Sequence, residues 1–472
     1  MENNRTLKLN TKNTFYIGFA FFSILMLWQM YNHYCPLFLD YLLRTKAGES
    51  NEFFIGLIMA GDNLLAIFML PLFGNLSDKT NTKFGKRMPY IMTGMILSAV
   101  LFPLISLMFY FESLIGTIIM MGLILIIMNM YRNPAVALMP DVTPKPLRPK
   151  ANGIINFVGY LGAIIAGALA LFLKIAPNTK GIDWEPTTKI NSIIAFVIAS
   201  IFMIIALLIL VFKIKENKLL QEMKDDLEYG ETLSETINSV KDDQPLSKED
   251  KRNFVILLLG LLLWYMSFNA IETFNSLFCT NVLLDEGIGS TIAIILPISS
   301  IFTFLTTTNL PSKIGRKKTV LIGIAAITVA FTLILLYFVI NNVFSKDYYL
   351  KIAANNGKLP FSVIPIYLLI ALCGFGWALI NASSYPMLVE MCSSKKIGKF
   401  TGYYYTVSML AQTITPILVG IIMNSSDISL RLLYVYSTIL MGLAFVVMMF
   451  FKGKAPSKVN EGKKGLESLN VD

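Results

Sequence analysis

The sequence predicts an all-α membrane protein of twelve transmembrane helices in two six-helix pseudo-repeats, with both termini cytoplasmic. Composition is the first observation behind this fold class: 55% of the 472 residues are hydrophobic, only 15% are charged, and the mean hydropathy is +0.62. Lipid is therefore the main solvent, and a string of soluble domains is excluded. The second is continuity, because the apolar residues form long unbroken runs, each able to cross a hydrocarbon core of about 30 Å as a helix. A barrel would need alternation instead. The third is duplication: two basic turns, Lys83-Phe84-Gly85-Lys86-Arg87 and Lys313-Ile314-Gly315-Arg316-Lys317, stand 230 residues apart, each between two apolar runs.

The spans follow in order over 14–42, 53–76, 89–110, 114–140, 151–173 and 190–212, which together form an N-terminal bundle, residues 1–212. The start, Met1 to Asn13, is polar and no small-residue cleavage site follows the first span, so that span is expected to remain as a helix. Residues 213–252 are a different material, with eleven Asp and Glu and eight Lys and Arg. This stretch is expected to be a cytoplasmic central loop, solvated or partly disordered, although Leu219 to Val240 could form an amphipathic surface helix. A second bundle, residues 253–451, holds spans 253–284, 289–311, 319–341, 362–390, 399–423 and 431–451, and a polar cytoplasmic tail occupies 452–472.

Charge placement orients the chain. With both termini inside, the inside segments other than the central loop carry 22 Lys and Arg against nine outside, as the positive-inside rule requires. The net charge of +10 thus reflects helix ends and not a nucleic-acid-binding face. In each basic turn a glycine sits where the chain bends, with no Cβ to oppose positive φ. The four cysteines, Cys35, Cys279, Cys373 and Cys392, lack metal-ligand spacing and read as packing residues, so neither a disulfide nor a zinc site is implied.

The duplication recurs at a second offset. Asp141 is followed twelve residues later by Gly153, and Glu390 twelve residues later by Gly402, an offset of 249. The additional 19 residues correspond to a long outside loop, Asn342 to Phe361, whose first-half counterpart near Glu112 is short. Two parallel six-helix repeats are the architecture of the major facilitator transporters, with a midplane site between the halves.

Ionisable residues inside spans are costly and are therefore functional candidates. Asp62 lies in the second span, Arg132 near the middle of the fourth and Glu272 in the outer part of the seventh. A carboxylate in such a place can exchange its proton as a cavity opens and closes, so Asp62 and Glu272 are the proton-coupling candidates. The alternative is that each pairs with Arg132 or a hydroxyl to hold helices together. Arg132, with five donors in a rigid fork, is a substrate-binding candidate.

The 249 offset makes Asn381 the counterpart of Arg132, and Asn381 shares a helical face with Trp377 four residues earlier. An aromatic ring beside an amide suits the apolar face and hydroxyls of a sugar. Trp28, Gln29 and Asn32 of the first span, with Asn269 of the seventh, complete the substrate-site candidates. The aromatics could equally be core or interfacial residues. His33 is the chain's single histidine and cannot make a metal site alone; it is read as a hydrogen-bonding residue or a proton sensor. At the cytoplasmic side Asp78, Gly85, Lys86, Arg87, an Asp141–Arg148 pair, Arg316 and Glu390 are read as a gate that holds the inward side closed, the alternative being solvated loop charges.

The stretch Pro71-Leu72-Phe73-Gly74, Ser77-Asp78 and Lys83-Phe84-Gly85-Lys86-Arg87-Met88-Pro89 resembles the Ser-Asp and Arg-x-Gly-Arg-Arg-x-Pro pattern of the sucrose-carrier-like branch of the glycoside-pentoside-hexuronide cation symporters. Lys replaces two of the pattern's arginines. Tyr31-Asn32-His33-Tyr34-Cys35-Pro36, Ala137-Leu138-Met139-Pro140-Asp141, Gly376-Trp377-Ala378 with Pro386, and Gly402-Tyr403-Tyr404-Tyr405 with Ser408, Ala411 and Pro416 continue the likeness in order along most of the chain. The resemblance implies a major facilitator fold and proton-driven import of a sugar, often a disaccharide. Plant sucrose carriers place their essential arginine where this chain has Val136, one turn from Arg132. Melibiose-type relatives place sodium-binding acids where this chain has Ala66 and Leu70, a departure that favours protons over sodium because a hard cation needs several oxygen ligands.

The expectation is a secondary active importer of a disaccharide or glycoside in the plasma membrane. It would act as a monomer in a lipid bilayer, with the proton as coupling ion and no cofactor or nucleic-acid partner. An exporter of another small solute is the nearest alternative, and a non-transporting membrane sensor the more distant one. No catalytic motif stands in the spans, so an enzyme is not expected.

Overall fold

The computed structural model describes residues 7–48, 51–176, 189–238, 248–307, 310–345, 347–355, 359–391, 397–424 and 429–452. In chain order its helices are α1 (Thr11–Ala47), α2 (Glu52–Lys79), α3 (Met88–Tyr110), α4 (Leu114–Asp141), α5 (Arg148–Phe172), α6 (Lys189–Lys213), α7 (Glu216–Glu222) and α8 (Lys224–Asn238). Then follow α9 (Lys248–Asn281), α10 (Glu286–Thr306), α11 (Leu310–Ile314), α12 (Arg316–Ile340), α13 (Tyr348–Ala354), α14 (Ile364–Glu390), α15 (Ile397–Asn424) and α16 (Leu433–Met449). Among the described residues, twelve helices are long and apolar enough to cross a membrane, and each coincides with one of the twelve predicted spans.

Local chemistry sets the helix ends. Asn10, Asn51, Ser113 and Asp285 cap α1, α2, α4 and α10, each accepting a hydrogen bond from a backbone N–H two or three residues on, which satisfies a donor that the first turn leaves open. In the two basic turns Gly85 has φ +114° and Gly315 φ +90°, the left-handed region in which a Cβ is opposed. These turns mark the basic end of the bundle; the opposite end is the distal end.

Within the first half α1 packs on α5 and α6, and α3 on α4 and α6; within the second, α9 packs on α15 and α16, and α14 on α10 and α12. The halves meet through α2 with α15, α5 with α10 and α1 with α9. The tightest approach pairs the start of α2 with the end of α15. A Cβ on Gly56 would overlap the Pro416 carbonyl oxygen, and one on Gly420 would lie 2.6 Å from that of Glu52. Both contacts are at the distal end, so that end is shut where α2 crosses α15.

The central loop differs from the solvated or partly disordered expectation in its first part. Residues 216–222 and 224–238 are helical, and this short strap lies against the basic end of the first half. Gly230 abuts Pro144, Lys145 pairs with Glu231 at 3.3 Å, and Leu219 is buried. The apolar side of an amphipathic segment found a surface to cover, which composition alone does not reveal. Residues 239–247 and the tail from 453 onward lie outside the described residues.

Candidate functional site

Midway through the bundle the halves face each other across a polar and aromatic space. Asp62 of α2 is 1% exposed, and among the described residues neither of its carboxylate oxygens has a hydrogen-bond partner. Burying a carboxylate without a hydrogen bond is costly. Arg132 of α4 is half-buried, and its guanidinium lies over the Trp28 ring of α1 at 5.2 Å, a cation–π contact. Asp62, Glu272 and Tyr405, which belong to α2, α9 and α15, lie within electrostatic reach of the guanidinium. Gln29 is half-buried on α1, three residues from Asn32 and hence on the same side.

The second half supplies the facing wall. Glu272 of α9 is exposed although it lies deep within a membrane-spanning helix, so it faces an open space. Its Oε1 accepts from Asn32 Nδ2 across the halves at 3.5 Å. Asn269, one turn earlier on α9, is buried with its Oδ1 unpartnered among the described residues. Trp377 of α14 stacks face to face on Phe268 of α9, centroids 3.8 Å apart at 6°, and meets Tyr265 edge-on at 5.5 Å. Asn381 is half-buried and its Nδ2 donates to the Trp377 carbonyl at 2.9 Å. The amide therefore presents its oxygen to partners off the helix.

At the basic end Arg87 is the hub. Its Nε donates to Asp141 Oδ2 at 2.9 Å, and the rest of the guanidinium reaches Asp78 and Ser77. Lys86 Nζ lies 3.1 Å from the same Asp141 oxygen. The expected Asp141–Arg148 pair is corrected: Arg148 donates to the carbonyls of Thr143 at 3.2 Å and Pro140 at 2.9 Å. It caps the end of α4 instead, because the chain turns sharply after Asp141 and leaves those carbonyls without helical partners. Gly85 is packed against Glu216 of α7, whose buried carboxylate accepts from the backbone N–H groups of Lys86, Arg87 and Met88 at 2.9 to 3.2 Å. A carboxylate here satisfies the open donors and the positive dipole at the start of α3. Arg316 is half-buried at the start of α12, and the Glu390 side chain lies outside the described residues. The Asp78, Lys86, Arg87 and Asp141 pairs thus join α2, α3 and α4 within the first half.

The Major Facilitator Superfamily profile matches residues 13–346 and, in a second alignment, 312–470. The chain belongs to this superfamily. Among solved structures, the facilitator resembles a D-xylose–proton symporter, with 13% identity and a TM-score of 0.62 over 94% of this chain and 97% of that one. It also resembles the nucleoside transporter NupG, at 14% identity and TM-score 0.58 over 94% and 98%. A POT family transporter in complex with 5-aminolevulinic acid gives 12% identity and 0.61 over 93% and 94%. These likenesses establish the fold. No curated protein sequence matches the chain.

Two charged parts of this facilitator escape sequence reasoning. One is Glu216, which stands among linker charges and carries no hydrophobic signal. The other is a polar seam at the distal end. There His33 Nε2 of α1 lies 3.3 Å from Glu286 Oε1 of α10, and Glu286 Oε2 accepts from the backbone N–H groups of Ile175 and Ala176 at 2.9 and 2.6 Å. Asn281 Nδ2 donates to Asp40 Oδ2 at 3.0 Å, and Lys174 Nζ lies 3.6 Å from Asp285 Oδ1. Aromatic lining from Tyr265, Phe268 and Tyr405 is likewise hidden, because an aromatic in an apolar run looks like any other core residue.

Proposed function

We propose that this facilitator is a secondary active transporter that imports a sugar, a disaccharide or glycoside, by proton symport and alternating access. The observation that carries the reading is Asp62, a buried carboxylate with no hydrogen-bond partner among the described residues, within electrostatic reach of Arg132 and Glu272. A proton on Asp62 relieves its burial, and a substrate hydroxyl can donate to it. Glu272, joined to Asn32 of the other half, is the second coupling group. Arg132, Asn32, Gln29, Asn269 and the free oxygen of Asn381 supply hydrogen bonds to hydroxyls, while the Trp377, Phe268 and Trp28 rings cover the apolar face. Aromatic faces with a few convergent polar groups are the usual construction of a small-molecule site.

With the basic end in the cytoplasm and the protein in the plasma membrane, the shut distal seam closes the site to the outside. The motif likeness to sucrose-carrier-type symporters supports the sugar, and the structural likeness to a D-xylose–proton symporter supports the proton. Asp78, Lys86, Arg87 and Asp141 then form the cytoplasmic clamp on the first half. A second reading, export of another small solute, is favoured by the flat Trp377–Phe268 stack, which suits a planar heterocycle equally well. Uptake into proteoliposomes tests both. A disaccharide should accumulate only with an inward proton gradient, and Asp62→Asn combined with Glu272→Gln should abolish accumulation while leaving substrate exchange. Accumulation that persists without the gradient sinks the coupling, and no uptake across a sugar panel favours the second reading.

A further inference from the structure

The distal seam contains the chain's one histidine, buried between the halves. His33 is 4% exposed and its Nε2 faces Glu286 Oε1, with Ser290 Oγ 3.4 Å away and the Tyr34 ring edge-on at 5.0 Å. Glu286 is itself buried, and its second oxygen is held by two backbone N–H groups at the end of the first half. Because those groups can only donate, Glu286 Oε2 is an acceptor towards the first half, and Oε1 is the oxygen left to meet His33 Nε2. Its other polar surroundings are Lys174 and Asp285, which pair with each other, and Tyr34, whose hydroxyl donates to the Leu173 carbonyl. Tyr367 of α14 and Cys279 of α9 face Asp285, and the Asp40–Arg44 pair with Asn281 lies further along α1.

We propose that His33 and Glu286 form a protonation-set latch between the halves: a proton taken up by His33 while the distal end is open favours closure of that end. The inference rests on the reading that this facilitator alternates between two openings. With α1 and α10 apart, His33 and Glu286 are separated by water, and an imidazolium gains nothing from the carboxylate. With the seam shut, an imidazolium meets a buried acceptor at hydrogen-bond distance, where charge-assisted bonds are stronger than neutral ones. A proton that binds one conformation more tightly shifts the population towards it, and by the same factor that conformation holds the proton more tightly. Acid on the distal side therefore loads the latch and drives closure.

The test reads conformation without substrate, so its failure leaves the transport reading intact and failure of transport leaves the latch intact. Spin labels at Phe111→Cys and Leu350→Cys, in a Cys392→Ser background, report the separation of the distal ends of the two halves. Between pH 8 and pH 5 the distal-closed to distal-open ratio should rise about tenfold, a typical coupling between linked sites. That rise should shrink in His33→Gln and in Glu286→Gln, and an undiminished rise in His33→Gln overturns the latch. A second measurement does not require the His33 variant to fold. Selective histidine labelling gives one imidazole signal in a protein purified without a histidine tag, and its titration midpoint should fall in Glu286→Gln. An unchanged midpoint also overturns the proposal.

Discussion

The two ends of the bundle spend their charges differently. At the distal end His33–Glu286, Asp40–Asn281 and the backbone donors of Ile175 and Ala176 tie one half to the other. At the basic end Arg87, Lys86, Asp78, Asp141 and Glu216 bind helices of one half to each other. The first arrangement must break for the distal end to open. The second need not break for the halves to move, and it keeps α2, α3, α4 and the strap together as a rigid body. Clustered charge therefore has two roles here, a releasable contact between bodies and a permanent one within a body. Proximity to a loop does not distinguish them; only the identity of the partner does.

The sharpest way to break the comparison is Gly56→Leu. The new side chain collides with the Pro416 backbone only when α2 and α15 are in contact, so it should disfavour the distal-closed state and spare the basic end. Overpacking of this kind costs about 2 kcal/mol, or about a thirtyfold change in the closed-to-open ratio. Cysteine accessibility from the distal side should rise accordingly, and no change would mean that the seam closes elsewhere. Glu216→Ala probes the other end. Three backbone donors lose a buried carboxylate, and stability should fall by about 2 kcal/mol in reversible denaturation, while the distal seam keeps its conformational balance. A shift in that balance would show that the strap couples the ends.

The smallest expected effect is at Lys189→Ala. Lys189 donates to Glu112 on the distal face, and chiefly this hydrogen bond holds the Glu112 carboxyl below its ordinary value. The pair lies within the first half and is partly exposed, so its contribution is about 0.5 kcal/mol or less. A carboxyl with a depressed folded-state value contributes stability above its unfolded value, about pH 4.3, and loses it as pH falls through the folded one. Denaturation of the native chain and of Lys189→Ala should therefore differ at pH 7 and converge below about pH 4. A difference that survives in acid would assign the effect to packing of the lysine stem.

Much of the candidate site is legible in the sequence. Asp62, Arg132 and Glu272 stand out because a charge inside an apolar run has no ordinary reason to be there. The 249 offset makes Asn381 the counterpart of Arg132, and in the structure Asn381 is half-buried with its Nδ2 on the Trp377 carbonyl. Glu286 and Glu216 are hidden for the opposite reason: each stands at a helix end or in a loop, where charge is common. The Asp141–Arg148 expectation failed on the same ground, since two opposite charges seven residues apart around a turn need not face each other.

By itself, the sequence determined the spans, the duplication and the left-handed glycines of the two basic turns, because hydropathy and backbone sterics act over a few residues at a time. Tertiary structure alone decided which charges meet. His33 and Glu286 are separated by 253 residues, Glu216 and Met88 by 128. Their encounters depend on how whole helices rotate and tilt against one another to pack their apolar faces. Local rules make the twelve rods, and the shape of the packed bundle decides whether a given charge becomes a latch, a clamp or a binding group.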